Sequence, residues 1–137
     1  MTAECFLDTN ILIYACSAAP EDAGKQRIAE GLILETDFAL SAQVLQEFIA
    51  NALRNKALGI SENGIDATLE LSNQVQVLPV TRDLVISATQ LRRQFQISHW
   101  DATIVAAARE LGCHTLYSED LNPGQNYDGV HVINPFL

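Results

Sequence analysis

The stretch HWDATIVAAARELGCHTLYSED, His99 to Asp120, decides how the chain folds. Its apolar spacing predicts a helix from Trp100 to about Leu111, with Gly112 as the stop signal. Thr115-Leu116-Tyr117 then reads as a short strand, rich in residues that suit a pleated surface. A helix and the strand that follows it run antiparallel, so the helix start and the strand end share one edge. Asp101 lies in the first turn of the helix and Asp120 just past the strand, which brings both carboxylates to that edge. Asp101 also begins the apolar stripe formed by Ile104, Val105 and Ala108. A carboxylate there is costly unless something pairs with it. Ser98-His99-Trp100-Asp101 equally fits a capping box, so helix capping accounts for Asp101 as well as chemistry does at this point.

Composition narrows the class. A chain of 137 residues with 48% hydrophobic and 18% charged residues is expected to form one globular domain over 1–137, with a proper core. No apolar run is long enough to span a bilayer, so no membrane association is expected. The start of the chain lacks a basic segment followed by an apolar stretch and a cleavage site. Cys5, Cys16 and Cys113 are an odd count in apolar contexts, without zinc-ligand spacing to His99, His114 or His131. Buried, reduced thiols and a cytoplasmic location are the expectation. A net charge of −9 argues against a broad basic surface that grips nucleic acid by counterion release. It leaves room for acids gathered in one cleft around a metal.

Taken in order, Glu4 to Leu7 is a strand ended by Asp8-Thr9-Asn10, and Ile11 to Ala15 starts a helix that Asp8 could cap. Pro20-Glu21-Asp22 opens a second helix, running to about Glu35. Phe38-Ala39-Leu40 is the second strand, and Ser41 caps a helix from Ala42 to about Asn55. That helix carries Val44, Leu45, Phe48, Ile49 and Leu53 on one face. Glu47 lies off the stripe with Gln43, Asn51 and Arg54, where a solvated glutamate is the simpler reading. A helix from about Ser61 to Asn73, a third strand from Val75 to Val80, and a helix from the Thr81 cap to about Phe95 follow. After Asp120, Asn122 to Gly129 reads as a turn-rich loop and Val130 to Ile133 as a last, edge strand.

Strands alternating with helices predict an α/β fold: a three-layer sandwich with a mainly parallel central sheet and helices on both faces. Ligands bind such sheets beyond the carboxyl ends of the strands. Asp8, Glu47, Asp101 and Asp120 all fall at that edge. Each has an ordinary explanation alone, but four acids at one edge are hard to explain by independent capping. Clustered carboxylates repel and call for a cation, and hard oxygen ligands suit Mg²⁺ or Mn²⁺. Such ions activate water and steady the leaving oxygen in phosphodiester cleavage. There is no Walker motif, Gly-rich phosphate loop or G-x-S-x-G. Asn10 and Ser118 are candidate substrate-positioning or supporting groups, with turn and cap roles equally open.

At these residues the chain resembles the PIN-domain ribonucleases, of the toxin type found in VapBC toxin–antitoxin pairs. The resemblance lies in Phe6-Leu7-Asp8-Thr9-Asn10-Ile11-Leu12, in Leu40 to Phe48 around Glu47, in Trp100-Asp101-Ala102, and in Leu116 to Leu121 around Asp120. It implies that Asp8, Glu47, Asp101 and Asp120 are the catalytic and metal-binding acids, supported by Asn10 and Ser118. It implies Mg²⁺- or Mn²⁺-dependent hydrolysis of RNA, leaving a 5′-phosphate and a 3′-hydroxyl. It further implies a small antitoxin partner and a homodimer. Where relatives carry Thr or Ser before the acidic pair, this chain has Tyr117-Ser118. A receiver domain would want an acidic pair after the first strand and a lysine near the last, and a dehalogenase-type phosphatase a second acid at Asn10. Neither matches, for Thr9 follows Asp8 and the lysines are Lys25 and Lys56. The remaining alternative is a non-catalytic interaction module on the same fold.

Overall fold

A computed structural model describes residues 3–137; the first two residues of the expected 1–137 domain lie outside the described residues. Among the described residues, six strands form one sheet in the order β3-β2-β1-β4-β6-β5. The strands are β1 (Cys5–Leu7), β2 (Phe38–Ser41), β3 (Val77–Leu78), β4 (Thr115–Tyr117), β5 (Asn126–Tyr127) and β6 (Val130–Ile133). All neighbours pair in parallel except β5 with β6. The helices are α1 (Thr9–Cys16), α2 (Ala23–Glu35), α3 (Ala42–Arg54), α4 (Glu62–Leu71), α5 (Arg82–Phe95) and α6 (His99–Glu110). The chain steps from β1 to β2 to β3, then returns to place β4 on the other side of β1. Right-handed crossovers therefore put α1 to α4 on one face and α5 and α6 on the other. The helix pairings agree: α1 packs with α2 and α3, and α5 with α6.

Local chemistry explains most element ends. Ser41, Ser61, Thr81 and Ser98 each accept a hydrogen bond from the backbone N–H three residues on, in α3, α4, α5 and α6. Gly112, at φ +75°, takes the left-handed turn that lets the chain leave α6 and enter β4. In α6, Ala102 to Ala108 are buried without a break, so this helix is the core of its layer rather than a surface helix. Small alanines let it sit close to the sheet. Ile104 at 2% exposure and Leu116 at 0% both belong to that core, where truncation to Ala costs about 2–5 kcal/mol. Among the described residues no helix is long and apolar enough to cross a membrane.

Four expectations need correction. The third strand is only Val77–Leu78, because Pro79 lacks the N–H that a longer ladder needs, and Ser72–Gln74 forms a 3₁₀ turn before it. The second helix begins as a separate 3₁₀ turn, Pro20–Asp22, before α2. Val130–Ile133 is not the edge of the sheet: Asn126–Tyr127, assigned to the loop, pairs antiparallel with it and takes the edge. Asp128 at φ 54° and Gly129 at φ +98° form the two-residue turn that matches strand twist in such hairpins. Arg109 pairs with Asp128 and ties this turn to the end of α6. Of the three free thiols, Cys5 and Cys113 are buried, whereas Cys16 is only half-buried.

Candidate active site

The strand order reverses between β1 and β4, so the crevice lies beyond their carboxyl ends. Asp8 leaves β1 there and Ser118 leaves β4, in a register that pairs Leu7 with Tyr117. The Asp8 amide donates to Tyr117 O at 3.1 Å, continuing the ladder one residue further. Asp8 is 3% exposed and its Oδ1 accepts from Thr9 N at 2.7 Å, so it does cap α1. Its other oxygen, Oδ2, accepts from Ser118 Oγ at 2.7 Å. Ser118 Oγ in turn accepts from Asp120 N at 3.1 Å, which holds the turn that presents Asp120. Capping and a second task thus use different oxygens of one carboxylate.

The other predicted residues converge on the same crevice. Asn10 Nδ2 donates to Asp120 Oδ2 at 3.1 Å, joining the start of α1 to the end of β4 across 110 residues of chain. Asn10 is buried, and its Oδ1 has no hydrogen-bond partner among the described residues. Glu47, on the second turn of α3, accepts from Thr9 Oγ1 at 2.7 Å and from Gln43 Nε2 at 3.0 Å. Gln43 Nε2 also reaches Trp100 O at 3.2 Å, which ties α3 to the start of α6, where Asp101 stands half-buried. The buried Thr9 and Gln43 were not singled out from sequence. Their signal was position: polar residues flush with apolar neighbours at an element start are costly unless paired.

Electrostatics link the four acids. Burial drives the Asp8 carboxyl up to about 7; Ser118 and Thr9 pull it down, and the Asp120 and Glu47 charges push it further up. Burial likewise raises Asp101, opposed by Ser98 and reinforced by Asp120 and Glu47. Glu119, adjacent to Asp120, faces elsewhere: it accepts from Lys25 Nζ at 2.9 Å and from the Tyr14 hydroxyl. Of the two consecutive acids, only Asp120 joins Asn10 and the crevice.

Among the described residues, no three carboxyl, imidazole or thiol groups are packed into a ready-made metal cage. The donor set nonetheless suits a small hard cation. It consists of carboxylate oxygens that repel one another, and burial, with the neighbouring charges adding to it, raises one of them to about 7. Mg²⁺ keeps several waters and uses one or two carboxylates together with substrate phosphates, so an open set fits it better than a closed cage.

A family model of the PIN domain matches residues 5–125. The chain belongs to the PIN domain family. No curated protein sequence matches it. Among solved structures, the PIN chain is similar to Mycobacterium tuberculosis VapC20, a toxin that cleaves the sarcin-ricin loop. The identity is 26% and the TM-score 0.65, over 85% of this chain and 89% of that one. It shares its fold with VapBC2 from Rickettsia felis bound to a promoter DNA fragment, at 19% identity and TM-score 0.66, over 93% and 96% of the two chains. It also shares it with FitAcB from Neisseria gonorrhoeae, at 18% identity and TM-score 0.67, over 96% and 98%. The expected resemblance and the three-layer, mainly parallel architecture are both found.

Proposed function

We propose that residues 1–137 form one catalytic domain, a metal-dependent ribonuclease acting as the toxin of a type II toxin–antitoxin system. One observation carries this reading. Asp8, Glu47, Asp101 and Asp120 lie at the edge where β1 and β4 end, and the charges of Asp120 and Glu47 act on both Asp8 and Asp101. The similarity to the loop-cleaving VapC toxin supports RNA as substrate, and the VapBC and FitAcB complexes support an antitoxin partner.

In this reading Asp8, Glu47, Asp101 and Asp120 hold Mg²⁺ or Mn²⁺. The ion's chemistry is the activation of water and the stabilisation of the leaving 3′ oxygen. Asp8 would hold the ion as the ionised carboxylate, and Ser118 keeps that carboxylate in one orientation. Asn10 fixes Asp120, and Thr9 with Gln43 fixes Glu47. The antitoxin would cover the acids with Arg or Lys from a short segment, which a chain of net charge −9 would attract. Two copies are expected to associate as a homodimer. Buried Cys5 and Cys113, whose thiols burial pushes up (Cys113 to about 11), stay protonated, in keeping with a cytoplasmic protein.

Cleavage of single-stranded RNA by the purified chain tests the proposal. Activity that needs Mg²⁺ or Mn²⁺, stops in EDTA and disappears in Asp8→Asn is expected. A folded chain inert toward RNA under every metal condition would leave the non-catalytic interaction module as the better reading. Light scattering at micromolar concentration checks the dimer, and a monomer there would contradict it.

A further inference from the structure

The crevice continues beyond the acids. On one side a cleft of about 340 Å³ opens beside Asn10, and on the other a cleft of about 520 Å³ opens beside Glu47. Asn51 lines both. The Glu47 side ends on Trp100, the chain's single tryptophan, which is 64% exposed. The His99 ring backs Trp100 edge-on at 5.0 Å, which limits its swing. Gln43, 6% exposed, spends its Nε2 on Glu47 and Trp100 O, and its Oε1 has no partner among the described residues. Arg54 is held at the cleft by Asn51 Oδ1 at 2.8 Å.

This lining sets one flat, exposed ring beside the acids, with the Gln43, Gln46 and Asn51 amides and the Arg54 guanidinium around it. An unpaired nucleobase matches each part. A ring face stacks on tryptophan whatever the base, amides meet base edges, and a guanidinium meets a phosphate. We propose that the cleft between α3 and the start of α6 is a nucleobase subsite. In it, the base next to the scissile phosphate stacks on Trp100, which then positions the RNA and sets its register on the acids. The inference rests on the ribonuclease reading.

Because Trp100 is the only tryptophan, its fluorescence reports on this ring alone. Titration with a short single-stranded oligoribonucleotide should quench it, and the quench should vanish when one particular nucleotide is made abasic. Trp100→Ala should raise KM for that RNA by roughly 5- to 150-fold, the range expected for one lost stacking contact, with kcat largely kept. Trp100→Phe should recover most of the loss. Thermal melts control for folding, and an exposed ring should tolerate both changes.

Metal-dependent RNA cleavage with an unquenched Trp100, or with wild-type KM in Trp100→Ala, overturns the subsite and leaves the ribonuclease reading standing. A Trp100→Ala chain that cleaves normally but loses self-association in light scattering overturns it too, and assigns the ring to a protein interface. If the wild-type chain neither binds nor cleaves RNA, both readings fall together.

Discussion

The floor of the crevice and its wall are built by different means. Asp8 and Ser118 leave adjacent strands, so sheet register fixes them, and they are 3% and 0% exposed. Glu47, Gln43, Trp100 and Asp101 ride on α3 and α6, elements placed by side-chain packing, and the wall opens to solvent at Trp100. Low exposure makes the floor electrostatically sensitive, because charge there is poorly screened and must be paired. An open wall can instead touch a large substrate. The most poorly screened charge thus sits at the floor, Glu47 and Asp101 carry charge up a wall that opens to solvent, and the difference can be broken one residue at a time.

The largest effect is expected at the floor. Asp8→Asn should lower RNA cleavage by at least about 10³-fold, since a lost ligand charge removes several kcal/mol of electrostatic stabilisation. Near-wild-type cleavage by a folded Asp8→Asn chain would reduce Asp8 to a helix cap. Next come the groups that orient the acids. Ser118→Ala leaves Asp8 Oδ2 without its 2.7 Å donor, and Thr9→Val does the same to Glu47 Oε2. Each should cost about 10- to 100-fold in activity or metal affinity. Ser118→Ala should be the more severe, being the more deeply buried. A larger loss from Thr9→Val than from Ser118→Ala would invert the ranking of floor over wall.

A smaller but more diagnostic effect concerns stability. With the folded Asp8 near 7 against 3.8 in the unfolded chain, the native state binds the extra proton between those values. Unfolding free energy therefore falls as pH rises through that window and levels off above it. Asp101, also raised, acts in the same direction. In EDTA the wild type should lose melting temperature from about pH 4 to 8, and Asp8→Asn should lose less and melt higher at pH 8. Metal at a hundredfold over its Kd should add about 2.7 kcal/mol to the wild type, or roughly 5–15 °C, and little to the variant. Equal responses of the two proteins to metal would remove Asp8 from the ligand set.

Periodicity and caps carried most of the architecture: Ser41, Thr81 and Ser98 mark helix starts that the structure keeps. Strands of two residues were harder, because so short a segment shows no alternation. Asp128-Gly129 was a legible hairpin signal, but Asn126-Tyr127 before it is too brief to read as a strand. For the site, each acid could be placed on an element and each element on an edge. Asn10 and Ser118 each donate to one of these acids, Asp120 and Asp8. Thr9 stayed hidden because its partner Glu47 is distant in sequence and sits on another element, whereas Gln43, four residues before Glu47 on the same helix, was legible as its neighbour but not as its donor. Nothing local distinguishes a hydroxyl aimed across a crevice from one aimed at its own helix.

The smallest effect is expected from the residue beside Asp120. Sequence alone offers Glu119 and Asp120 as equivalent acids, but their surroundings separate them. Glu119 is engaged by Lys25, which also stacks over the Tyr14 ring at 4.7 Å and the Phe136 ring at 5.5 Å. Tyr14 and Phe136 meet edge-on at 5.1 Å, so this cluster anchors the Ser118–Asp120 turn against α1 and α2 from outside the crevice. With the Lys25 side chain 40% exposed, the pair is worth only about 0–1 kcal/mol after solvent screening. Glu119→Gln should keep a hydrogen bond to Tyr14, leave cleavage within about threefold of wild type and shift melting by no more than about 3 °C. Asp120→Asn, one residue on, should remove most cleavage with as little effect on melting in EDTA. Comparable losses of activity in the two variants would mean that Glu119, not Asp120 alone, serves the crevice, and that the bond from Asn10 does not pick out the working acid.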